Sequence, residues 1–117
     1  MENKTTLLLI DKILEDLDKT GINTDTLIDD LKQLRTHALE AEIPLVVKVL
    51  RLTYEHIEEN GNFMIPMLVE EEDEFEAIEV ANEPVESLKY LIALIRNLKN
   101  KTNIADLKEY RDLLNAY

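Results

Sequence analysis

The amino-acid sequence predicts an all-α fold, and three observations carry that expectation. Apolar residues recur at helical spacing along nearly the whole chain. Only two Gly and three Pro occur in 117 residues, too few to turn the many short strands of a β fold. The composition is rich in Leu, Glu and Lys and sparse in aromatics (four Tyr, two Phe, no Trp), which favours helix by propensity. A chain of this length fits a single helical domain over 1–117, and its 45% apolar content is enough to offset the entropy of ordering.

The first helix is expected over 5–19, with Leu7, Ile10, Leu14 and Leu17 on one face and Gly21 placed as a left-handed terminator. Thr24 offers an N-cap for a second helix, and Asp25 and Asp29 suit the positive end of its dipole. Leu27, Leu31, Leu34 and Ala38 form its buried stripe, which ends near Glu42. Pro44 opens a third helix, where its missing N–H costs nothing; Val46, Val47, Leu50, Tyr54 and Ile57 follow, and Gly61 stops it. Pro84 opens another, with Leu88, Leu91, Ile92, Ile95 and Leu98 inside. After a turn at 100–103, Asn103 is expected to cap a last helix carrying Leu107, Tyr110, Leu114 and Tyr117.

Residues 63–82 read in two ways. Leu68, Phe75 and Ile78 fit a helix with a Glu-rich surface, the preferred assignment; 63–69 and 75–80 around an acidic turn fit a β-hairpin with Pro66 on its edge.

The turns recur. Gly21, Gly61 and Lys101 are spaced by 40, as are Leu27, Met67 and Leu107, and helices begin near 5, 44 and 84. In period and helix pairing this resembles HEAT-type repeats, which implies three stacked helical hairpins. The first half of the third helix is apolar on almost all sides, as a unit covered by both neighbours would be. Residue identities beyond the turns are few, and the tetratricopeptide signature is absent. The competing architecture is a compact antiparallel bundle of four or five helices.

Charge is the strongest functional signal. The formal net charge is −12, which opposes binding to nucleic acid or to anionic lipid. It is not spread evenly. Residues 52–88 hold twelve acids and no Lys or Arg, while the other 80 residues hold 13 acids and 13 bases. The apolar run at 7–10 is too short for a signal sequence and no stretch reaches the length of a membrane span, so a cytoplasmic protein is expected.

Chemistry-bearing constellations are few. No Cys is present, so thiol nucleophiles and thiolate metal sites are excluded. The one Ser, Ser87, lies in no nucleophile elbow, and two Gly cannot build a phosphate-cradling loop. The two His head a repeated pattern, His37 with Glu40 and His56 with Glu59; residues three apart share a helix face, so each pair offers two ligands to a divalent metal. The inward carboxylates of a di-metal bundle are missing, and the bland reading is two helix-end His beside exposed Glu. Residues 70–74 lack the alternating oxygens and turn Gly of a calcium loop. Neither catalysis nor a cofactor is expected.

The function expected is therefore a non-catalytic interaction module that binds a basic protein through 52–88, in the manner of an inhibitor, immunity protein or adaptor. Glu70, Glu71, Glu72, Asp73 and Glu74 would supply the field, and Phe63, Met64, Met67 and Phe75 the apolar contact. Two alternatives stand beside it: a metal- or ligand-binding bundle using the His–Glu pairs, and a self-associating structural subunit that buries a helix face in a homodimer.

Overall fold

Why five segments among the described residues become helices is visible at their ends. The computed structural model describes residues 1–66 and 84–117. Its helices are α1 (Lys4–Thr20), α2 (Thr24–Glu40), α3 (Pro44–Asn60), α4 (Pro84–Arg96) and α5 (Lys101–Ala116). Asn3 caps α1, its side chain accepting the Thr6 N–H at 2.8 Å. Gly21, at φ 69°, takes the chain out of α1 while its N–H closes on the Leu17 carbonyl. Gly61 does the same for α3 in the left-handed region, at φ 73° and ψ 3°. α3 opens on Pro44, as expected.

Several expected boundaries move: Asn23 rather than Thr24 stands at the N-cap of α2, and α4 ends at Arg96, before Leu98. The last helix starts earlier, because Asn100 rather than Asn103 caps it by accepting the Thr102 N–H at 2.8 Å. Asn103 instead donates to the Asn97 carbonyl and ties down the preceding turn. α2 ends at Glu40 through paired bonds from Glu42 N–H to Leu39 O and from Ile43 N–H to Ala38 O, the Schellman pattern. The left-handed residue of that motif is Glu42, at φ 57°, where Gly is usual.

The apolar stripes join one core. Ile10, Ile13 and Leu17 of α1, Leu31 and Leu34 of α2, Leu50 and Ile57 of α3, Leu91 and Ile92 of α4, and Leu107 and Tyr110 of α5 are all fully buried or nearly so. Tyr117, expected on the inner stripe, is 64% exposed.

Packing follows a closed order. α1 lies between α2 and α4, α3 lies between α2 and α5, and α4 and α5 pack on each other. The helix starts at 4, 44 and 84 keep the 40-residue spacing. In an open stack of three hairpins, the first and third units would be held apart by the second. Here α1 packs directly on α4, so the ring closes and the bundle is the architecture adopted. Polar groups reinforce the seams of α1: Lys12 reaches Asp30 of α2 at 2.6 Å, and Asp18 and Asp11 pair with Lys89 and Arg96 of α4. Of the segment 63–82, residues 63–66 form no helix or strand, and the rest of that helix-or-hairpin reading lies outside the described residues.

Candidate functional site

The acidic third begins on the second half of α3. Glu55, Glu58 and Glu59 are exposed there and make no ion pair among the described residues. This contrasts with α1, whose carboxylates Asp11, Asp16 and Asp18 all meet a Lys or Arg. At the far end of the acidic third, Glu86 lies 3.7 Å from Lys89.

Between α3 and α5 the surface dips into a cleft of about 200 Å³. Glu55 and Glu59, one turn apart on α3, supply carboxylates, with Leu52 and the exposed ring of Tyr117 as apolar walls. His56 lies in the same wall but is buried and engaged: its Nε2 accepts the Met64 N–H at 2.9 Å. Its ring meets Phe63 and Tyr117 edge-on, with centroids 5.7 and 4.7 Å apart. Burial lowers the His56 pKa below the usual imidazole value, and the nearby Glu59 carboxylate opposes that shift only in part.

The residues singled out for partner contact divide. Met64 is 48% exposed beside the cleft. Phe63 is not available as a contact residue: it is 1% exposed, packed against His56 and Tyr110 as part of the core. A large apolar side chain three residues from the end of α3 is better buried than left in water, and the Gly61 turn swings it inward. Met67, Glu70, Glu71, Glu72, Asp73, Glu74 and Phe75 lie outside the described residues.

The His–Glu pairs are not brought together. His37 lies near the α2–α3 turn and His56 near the opposite end of α3. The His37 Nδ1 is 2.6 Å from the buried Thr6 hydroxyl of α1, which ties α1 to α2. Among the described residues no three His, Asp or Glu gather as a metal cage. With Nε2 of His56 occupied by a backbone N–H, the ring gives a metal no acceptor on that side.

One surface was not anticipated from the sequence: a groove where α2 meets α3, with Arg35, Lys48 and Arg51 around an apolar floor. The signal was present in Leu39, an apolar residue lying off the α2 core stripe and 49% exposed. Searches of protein-family models, curated proteins and solved structures found nothing similar to this chain. No described helix is long and apolar enough to cross a membrane.

Proposed function

We propose that the chain is a non-catalytic protein-interaction module whose acidic third, residues 52–88, engages a basic protein. One observation carries the reading: Glu55, Glu58 and Glu59 stand exposed on one helix and make no ion pair among the described residues, whereas the α1 carboxylates Asp11 and Asp18 pair across a bundle seam with Arg96 and Lys89. Unpaired carboxylates on one side of the surface attract a cationic partner, accelerate its approach and disfavour acidic competitors. The cleft between α3 and α5 adds a place for a side chain to dock. A Lys or Arg entering it would meet Glu55 and Glu59 at its head, while its methylene stem lies along Leu52 and Tyr117. Met64, exposed next to it, supplies apolar contact that rim charges alone do not give.

The test is binding of an Arg-rich peptide, followed by fluorescence anisotropy over a range of salt. Affinity falls as salt rises, and the double variant Glu55→Gln with Glu59→Gln weakens it by about tenfold. Binding that ignores salt, or that survives both this variant and neutralisation of Glu70–Glu74, overturns the reading.

A further inference from the structure

The turn between α2 and α3 builds a groove of about 440 Å³, within the size range of small-ligand sites. Its floor is apolar, made by Leu39, Ile43, Pro44 and Val47, and Leu39 is 49% exposed. Its rim is cationic, made by Arg35, Lys48 and Arg51, against one acid, Glu42.

None of the three cations has an ion pair or hydrogen bond among the described residues, in a protein whose acids outnumber its bases by 12. The Nε of Arg35 is buried and has no hydrogen-bond partner among the described residues. The first turn of α3 forms one wall, and it carries no acidic residue and no side-chain cap. The positive end of the α3 dipole therefore has no acid within the helix's own first turn, and Glu42 just before it is the one carboxylate lining the groove.

The remote acids do not cancel this field. Lys48 and Glu59 both lie on α3, eleven residues apart. At 1.5 Å per residue that is about 16 Å, beyond a Debye length of about 8 Å. Glu55, one turn from Arg51, is the acid of α3 that comes nearer, and it forms no ion pair with Arg51 among the described residues. The groove is a locally positive, apolar-floored site on an acidic protein.

From this geometry we infer that the α2–α3 groove binds a small anionic amphiphile, a free medium-chain carboxylate, with its head among Arg35, Lys48 and Arg51 and its tail on Leu39, Ile43 and Val47. Guanidinium groups grip carboxylates through paired N–H donors, and the tail removes the exposed Leu39 surface from water. This site is separate from the acidic third and takes a ligand of the opposite charge.

The test titrates the full chain with decanoate below its micelle concentration, read by amide chemical shifts and calorimetry. Decanoate is expected to bind one to one, with shifts confined to residues 35–51. Acetate, which lacks the tail, and decyltrimethylammonium, which reverses the charge, should bind at least about tenfold more weakly. The double variant Lys48→Gln with Arg51→Gln, checked by circular dichroism to be folded, should lose about tenfold in affinity, and Glu42→Gln should gain a few-fold. Equal binding of the cationic amphiphile, shifts scattered over the bundle, or unchanged affinity in the folded double variant overturns the inference. So does self-association that needs Lys48 and Arg51 in a chain that ignores decanoate, since the groove's occupant is then a second copy.

Discussion

The Nε2 of His56 accepts the backbone N–H of Met64 at 2.9 Å, closing the turn that leads out of α3. To accept, that nitrogen must be unprotonated, so the native ring is neutral with its proton on Nδ1. The groups around it are the rings of Phe63 and Tyr117, the Asn60 amide and the Glu55 and Glu59 carboxylates, and burial dominates the balance. The folded state therefore binds a proton less readily than the unfolded chain. Stability from this source is fully present above the unfolded pKa of about 6.5 and is lost as pH falls toward the lowered native value. Denaturant unfolding between pH 7 and 5.5 should show stability falling by up to about 1.4 kcal/mol per unit. His56→Phe should flatten that slope and expose the Met64 amide to faster hydrogen exchange. An unchanged slope in the variant assigns the pH dependence to other groups.

Glu42 is the one described non-glycine residue with positive φ, at 57°, and it sits where the Schellman turn of α2 prefers Gly. Holding an L-residue there costs about 1–2 kcal/mol, part of which Gly returns through its freer unfolded state. Glu42→Gly should raise stability by about 0.5–1 kcal/mol, measured by thermal melting. A loss of stability would mean that the Glu42 side chain makes a contact worth more than the strain.

Asp30 is 7% exposed and depends on Lys12 at 2.6 Å, whereas Glu15 and Lys19 form their pair in open solvent. The carboxylate hydrogen bond of Asp30 is also what chiefly raises the Lys12 pKa, with Asp16 second. Removing the cation from a buried partner leaves an uncompensated charge; removing it from an exposed pair leaves a hydrated one. Lys12→Met should cost about 1 kcal/mol, reduced from the buried-pair range because Lys12 itself is half exposed. Lys19→Met should leave the melting temperature unchanged. Equal effects would mean that Asp30 finds water.

The sequence shows how far periodicity reaches. The stripes Leu27, Leu31, Leu34 and Ala38, or Leu88, Leu91, Ile92 and Ile95, are buried as their spacing predicts, because an amphipathic helix has one way to hide its apolar face. The helix starts at 4, 44 and 84 are equally readable. Which helices touch is not. Nothing local in α1 or α4 says that they pack on each other, since the same stripes serve a stack or a ring. The cap at Asn100 was likewise missed in favour of Asn103, because both are good cap residues three apart. The α2–α3 groove escaped because its cations come from two helices and meet only through the turn at Ala41–Ile43.

Phe63 and Met64 look alike as sequence, adjacent large apolar residues after a helix stop, yet they face opposite environments at 1% and 48% exposure. Phe63 packs against Tyr110, whose hydroxyl lies 3.1 Å from the Ser87 hydroxyl, so it links the exit of α3 to α4 and α5. Phe63→Ala should therefore cost about 3–5 kcal/mol, the range for deleting a buried aromatic ring. Met64→Ala should fall within about 0.5 kcal/mol of the parent, as for other exposed positions, because the backbone N–H that His56 accepts is retained. The same pair separates folding from recognition. If Met64 contributes contact energy beside the acidic cleft, Met64→Ala weakens Arg-rich peptide binding in a chain of unchanged stability. Phe63→Ala instead acts through the fold, releasing the turn at the exit of α3. A Met64→Ala variant that binds the peptide like the parent leaves Glu55 and Glu59 as the side chains on which that recognition rests.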